Sequence, residues 1–289
     1  MFSYLKFIFL NYLVSGLTNI EYIQKHNSFN SSYKLEKNKF INRIYENEFF
    51  KTNNKYIVNS NSSNQINYKL DVYKDSIDWR KKNKISSVKN QLDCGGCWAF
   101  SAVGAVESAW AIENNQLYNL SEQQLIDCST QNNGCQGGSM DLAFNYIKNN
   151  GLCSNISYPY VAEDNKCNQN NCDSLINITD YKDVSQNNEK ALMRALNHQP
   201  VSVAIQANKR SFQFYKSGIY SDPNCGFDLD HGVLLVGYGY DKLNDMDYWI
   251  LKNSWGEDWG DNGYIKIMRN IDDSRGLCGI AMNPSVPII

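Results

Sequence analysis

Histidine and proline are scarce in this 289-residue chain, three and five respectively. Three histidines leave few choices for any chemistry that needs a side-chain base near neutral pH. There is no excess of either charge: 28 Lys and Arg stand against 30 Asp and Glu, scattered along the chain. No electrostatic footprint for nucleic acid or anionic membrane results, so neither is expected as a partner. Long apolar runs are missing too. The longest, Phe7-Ile8-Phe9-Leu10 with Tyr12-Leu13-Val14 after it, is too short to cross a bilayer. Its position after Lys6, with Gly16 as a cleavage residue, predicts a secretory signal over residues 1–18. Residues 19 to about 72 contain no Cys, Gly or Pro and are rich in Asn, Lys and aromatics, which sets them apart as a leader segment.

What is present is a globular composition, 42% hydrophobic, enough for one large domain or two lobes. Nine cysteines, together with the signal, predict an oxidising compartment. Asn119, Asn155 and Asn177 head glycosylation sequons that fit this route. The cysteine number is odd, so at least one thiol stays unpaired in a fully oxidised fold.

Within the leader, Phe40, Ile41, Ile44, Tyr45, Phe49, Phe50, Tyr56 and Ile57 recur mostly at three- and four-residue steps, predicting one or two amphipathic helices. A buried helix is predicted from Cys97 to just before Asn114, from Trp98, Val103, Val106 and Trp110. Ser121-Glu122-Gln123-Gln124 has the capping-box pattern for a second helix, and a third is expected over Ser139 to Lys148. From about Gln199 the texture is that of strands: Val201–Ile205, Gly232–Val236, Tyr248–Leu251 and Tyr264–Ile267. Helices first and strands later imply an α+β protein, arranged as two lobes.

The segment Gln91-Leu92-Asp93-Cys94-Gly95-Gly96-Cys97-Trp98-Ala99-Phe100-Ser101 places Cys97 at a helix N-terminus. There the exposed N–H groups and the helix dipole favour thiolate, the reactive form. By position alone a buried, inert cysteine fits equally well. Of the candidate bases, His26 lies in the leader and His198 in a loop-like stretch ahead of a strand. His231 opens the strand Asp230–Gly239 beside Gly232. In Lys252-Asn253-Ser254-Trp255-Gly256 an amide carbonyl could orient an imidazole and an indole could shield that hydrogen bond from water. Two other readings stay open on these residues: a redox dithiol formed by Cys94 and Cys97, and an inert binding protein. A zinc module lacks a second close cysteine pair of matching spacing.

These three segments, in the order Cys, His, Asn, resemble those of the papain-like cysteine proteases, the family of papain and cathepsin L. His231 follows Cys97 by 134 residues and Asn253 by 156, near the roughly 130 to 150 typical of the family. The resemblance runs from about Asp75 to the C-terminus. It implies a two-lobed fold, helical first and β-rich second, with the site in the cleft between the lobes. It implies that Cys97 attacks a peptide carbonyl, that His231 protonates the leaving amine, that Asn253 orients the imidazole beneath Trp255, and that Gln91 donates to the oxyanion. It also implies disulfides Cys94–Cys135, Cys128–Cys167 and Cys225–Cys278, with parity pairing Cys153 to Cys172. No metal or cofactor is expected.

By the same resemblance, Gly137 and Gly138 would offer backbone hydrogen bonds to an extended substrate. Ser139, Met140, Ala204, Leu229, Gly232 and Asn283 would line the pocket for the second residue before the scissile bond, predicting a preference for a bulky apolar group. No insertion occludes the cleft between Cys128 and Cys135, which favours endopeptidase action. The leader keeps only the second half of the family's propeptide signature, Phe50, Asn53, Ile57 and Asn61, while Asn42 and Glu46 stand where Glu and Arg are expected. A short propeptide over 19–72, weak in self-inhibition, and a mature peptidase over 73–289 are the expected organisation. The expected protein is monomeric, has protein and peptide substrates and its own propeptide as partners, and resides in a lysosome-like compartment or outside the cell.

Overall fold

The structure, a computed structural model, describes residues 17–41, 65–66, 74–169, 172 and 176–289. The residues of the propeptide signature, the predicted boundary at Tyr73 and nearly all of the signal segment lie outside these. Among the described residues are six α-helices and ten strands. The helices are α1 Asn19–Ser28, α2 Cys97–Asn114, α3 Glu122–Cys128, α4 Met140–Asn150, α5 Glu189–His198 and α6 Arg210–Gln213. The strands are β1 Tyr33–Leu35, β2 Gln65–Ile66, β3 Ile77–Asp78, β4 Asp180–Val184, β5 Val201–Ile205, β6 Tyr215–Tyr220, β7 His231–Asp241, β8 Met246–Lys252, β9 Tyr264–Met268 and β10 Ser285–Ile288.

Helix α2 is apolar or small on every side, with Ala99, Ala102, Gly104, Ala105 and Ala109 between its larger residues, so it can be enclosed all round. It ends at Asn115, whose φ of 53° is the left-handed turn that stops a helix. α3 starts where Ser121 Oγ accepts from the Gln124 N–H at 3.0 Å. The reciprocal half of a capping box is not made: the Gln124 side chain instead donates to Gly151 O and accepts from Cys153 N–H. Trp98, Val103, Leu125, Phe144 and Ile147 form one core around α2 to α4. Val203, Phe212, Leu235, Trp249, Leu251 and Trp259 belong to a second core.

The sheet runs β1-β6-β9-β8-β7-β5-β10-β4-β2, with β3 added to β7. Strand β7 is central and antiparallel to both β5 and β8, and its first two residues, His231 and Gly232, pair with Ile205 and Ala204. The part of the chain after Gln199 is not purely β, since α6 interrupts it. His198 is the last residue of α5 and not part of a loop, because Asn188 caps that helix and carries it up to Gln199.

The described parts of the leader, residues 19–41 and 65–66, pack on the rest of the chain. Thr18 and Glu21 close a capping box at α1, β1 lies antiparallel on β6 and β2 parallel on β4. Tyr33, Leu35 and Phe40 are buried in the second core. Phe40 and Ile41, read from the sequence as helical, sit in a turn. Four disulfides join Cys94–Cys135, Cys128–Cys167, Cys153–Cys172 and Cys225–Cys278, and Cys97 is the free cysteine.

Candidate functional site

Cys97 is the first residue of α2, after Gly96, and is buried. A side chain on Gly96 would come within 3.1 Å of Ile126 Cδ1, so the glycine lets the Cys94–Cys97 turn sit tightly on α3. Strand β7 meets α2 at this point. A Cβ on Gly232 would be 3.2 Å from the Cys97 carbonyl oxygen and 3.3 Å from Trp98 Cα. Close backbone contact therefore requires glycine next to His231.

His231 is fully buried, and its Nε2 lies 2.7 Å from Asn253 Oδ1. The Ser254 N–H also donates to that oxygen at 2.8 Å, which settles the amide orientation. His231 Nε2 must then carry the proton, leaving Nδ1, which has no hydrogen-bond partner among the described residues, as the acceptor. The Trp255 ring covers the imidazole at 4.8 Å between centroids. Trp255 is itself held edge-on by Trp259 and Phe212.

Gln91 is buried across from Ser254, whose hydroxyl donates to Gln91 Oε1 at 2.6 Å. The Gln91 N–H bonds Ser254 O, and Tyr160 Oη–H donates to Gln91 O. Gln91 Nε2 donates to Cys94 O at 2.9 Å, so its amide nitrogen stays at the turn that leads into Cys97.

The electrostatics of this form differ from the simple helix-terminus expectation. Burial pushes the Cys97 thiol up to about 11, outweighing the N–H groups of Gly232 and Trp98, which pull the other way. Burial pushes the His231 imidazole down to about 4, against the raising effect of its Asn253 bond. Both groups are neutral between these values.

Gly137 has φ 116° and Gly138 abuts Asn132 and Trp98, leaving no room for a side chain. The Ser139 N–H is anchored on Asn132 Oδ1 at 2.7 Å. Met140, Ala204 and Gly232 come together, through the β5–β7 register and the approach of Met140 Sδ to Gly232. Leu229 lies against Gly279, beside Met282, and Asn283 accepts from Gln186 Nε2 at 3.4 Å. Leu229 also packs against the core that contains Met140 and Ala204.

Cys94 is bonded to Cys135, so Cys94 and Cys97 are not a dithiol pair; the helix start separates a crosslinked sulfur from a free one. Sequence reasoning passed over Ser254 and Tyr160, which hold Gln91 by hydrogen bonds across long chain separations, and Asn132, which holds Ser139 seven residues away. It also passed over Lys39 and Phe40 of the leader. Lys39 Nζ donates to Trp255 O at 2.9 Å, and the Phe40 ring is edge-on to the Trp255 ring. The one signal available for the aromatic stack was the Trp255 and Trp259 spacing.

The probable cysteine protease RD21B of Arabidopsis thaliana is 46% identical to this chain over 276 residues, covering 93% of the chain and 59% of that protein. The KDEL-tailed cysteine endopeptidase CEP2 of the same plant is 45% identical over 283 residues, covering 93% and 78%. The chain thus spans less than two thirds of the first of these relatives. Among solved structures, the proform of the ragweed pollen allergen Amb a 11 cysteine protease superposes with a TM-score of 0.87 at 38% identity, over 94% of this chain and 86% of that one. The family model for papain family cysteine proteases matches residues 73–288. With a papain-like fold and close relatives across nearly its whole length, this chain belongs to the papain family of cysteine proteases.

Proposed function

We propose that the protein is a cysteine endopeptidase made as a secreted zymogen, with Cys97 as nucleophile, His231 as its base and acid, Asn253 orienting the imidazole and Gln91 donating to the oxyanion. The observation that carries this reading is the 2.7 Å His231–Asn253 bond beneath Trp255, one strand residue from the glycine that touches Cys97. Nδ1 is the ring nitrogen left to take the thiol proton, which produces thiolate and imidazolium. The thiolate adds to the peptide carbonyl carbon. As the tetrahedral oxyanion collapses, the C–N bond breaks and His231 gives its proton to the leaving amine. Water, deprotonated by His231, then hydrolyses the acyl-thioester and regenerates the thiol.

The substrate would lie extended along Gly137 and Gly138, where the absence of side chains allows a backbone approach. Met140, Ala204 and Gly232 make an apolar wall, which supports preference for a bulky apolar residue at the second position before the scissile bond; Ser139, Leu229 and Asn283 complete the proposed pocket. Four disulfides and the signal-like start support the secretory route, ending in a lysosome-like compartment or outside the cell. Residues 19–72 would be the propeptide and 73–289 the mature enzyme; the buried Tyr33, Leu35 and Phe40 support firmer leader docking than its incomplete signature suggests.

The test is Cys97→Ala against wild type, both with the leader removed. Peptide cleavage and alkylation by a thiolate-directed epoxide should vanish while thermal unfolding stays cooperative. Cleavage that survives the substitution, or labelling at another residue, would overturn the reading.

A further inference from the structure

Beside the His231–Asn253 bond lies a cavity of about 20 Å³ with a mixed lining, apolar at Phe100, Val233 and Leu234 and polar at Asn253, Glu122 and Lys89, enough room for one water. Two of its lining groups are buried without a hydrogen-bond partner among the described residues: Asn253 Nδ2 and Glu122 Oε2. One is a donor, the other an acceptor. Asn253 cannot relieve its nitrogen by turning over, because Oδ1 is already claimed by the Ser254 N–H and His231 Nε2. Glu122 is held from its other oxygen, where Lys89 Nζ bonds Oε1 at 2.6 Å. Lys89 is in turn held by Glu107 at 2.7 Å, and Glu107 by Ser86 and the Leu120 N–H. Lys252 extends this chain by donating to Ser86 Oγ.

We propose that one internal water fills this cavity, accepting from Asn253 Nδ2 and donating to Glu122 Oε2, and that Glu122 is thereby a positioning residue for the His231 imidazole. The physical need is directional. An Asn253 amide rotated by half a turn would aim its NH₂ at two other donors, His231 Nε2–H and the Ser254 N–H. A bonded Nδ2 opposes that rotation from the far side, and Lys89, bonded to Glu122 Oε1, counters the upward push that burial exerts on this carboxyl. The proposal rests on the reading of Asn253 as the group that orients His231.

The test is a double-mutant cycle on the leader-free protein, with Glu122→Gln, Asn253→Ala and the combination. Glu122→Gln should lower kcat roughly tenfold with KM within about twofold, since misplacing a reacting group costs turnover more than binding. In the Asn253→Ala background it should lower kcat by less than about twofold, because there is no amide left to hold. A loss that multiplies in full in both backgrounds, or none in the wild-type background, overturns the proposal. Asn253→Ala with wild-type kcat overturns the underlying reading of Asn253 as well, which separates the two failures. If Glu122→Gln does not fold, a crystal structure of the wild-type protein that resolves waters decides: a water within hydrogen-bonding distance of both atoms supports the proposal, and an empty cavity overturns it.

Discussion

Phe40 meets Trp255 edge-on, ring centroids 5.2 Å apart and planes at 75°. The leader therefore packs on the same indole that covers His231, and Lys39 reinforces the contact by bonding the Trp255 carbonyl. One indole thus touches both the leader and the imidazole. Phe40 is buried in the second core with Tyr33 and Leu35, so much of the docking energy is apolar area removed from water.

The first prediction concerns that contact. Phe40→Ala in a full-length chain should weaken leader docking by about 3 kcal/mol, the usual lower bound for truncating a buried Phe. Epoxide labelling of Cys97 in the unprocessed chain should then be faster than in wild type. Equal labelling rates would show that the leader is held elsewhere.

A second follows from the neutral pair. With burial holding the Cys97 thiol near 11 and the His231 imidazole near 4, the unprocessed chain carries neither thiolate nor imidazolium at neutral pH. Alkylation of Cys97 by iodoacetamide in the unprocessed chain should be slow at pH 6 and climb toward pH 11 as the thiol ionises. After leader removal, hydration of the cleft should convert this climb into a plateau at neutral pH. Identical profiles before and after processing would contradict the argument.

The acid limb has its own sign. His231 is held below its unfolded value of 6.5, so the folded chain binds fewer protons there than the unfolded chain. Its contribution to stability is present above pH 6.5 and declines as pH falls from 6.5 toward 4. His231→Gln, which has nothing to protonate, should show a shallower loss of Tm over that window than wild type.

Gln91→Ala should reduce kcat by about 10² to 10³ with little change in KM, the usual cost of one oxyanion donor. Ser254→Ala frees Gln91 Oε1 and should lower kcat more modestly, in the same direction. Steady-state kinetics on one peptide substrate, normalised to titrated Cys97, would read both.

Replacing Cys94 and Cys135 by serine together should cost about 4 kcal/mol, the chain-entropy value for closing a loop of 41 residues. Cys97 should remain labelled by epoxide in that variant once it is folded. A redox dithiol would instead lose its chemistry with Cys94.

Much of the architecture was legible because periodicity is local. The all-round apolar character of α2, the Ser121 cap and the β-branched runs of β5, β7 and β8 each report on a few adjacent residues, and these elements formed close to their expected bounds. The α+β class followed from their order. Helix α5 was missed because its apolar stripe, Ala191, Leu192, Ala195 and Leu196, lies between polar residues that read as a connection.

From the sequence alone come the cysteine parity, the narrow choice among three histidines, and the nucleophile, base and amide segments, since each is a matter of residue type and order along the chain. Only the tertiary structure decided which side of Asn253 faces His231, because the Ser254 N–H competes for the same oxygen. It alone placed Phe40 on Trp255 and joined Glu122 to the cavity beside the site. Those contacts link residues far apart in the chain. Burial reversed the helix-terminus expectation for Cys97 because the cost of enclosing a charge exceeds the help of a few N–H dipoles.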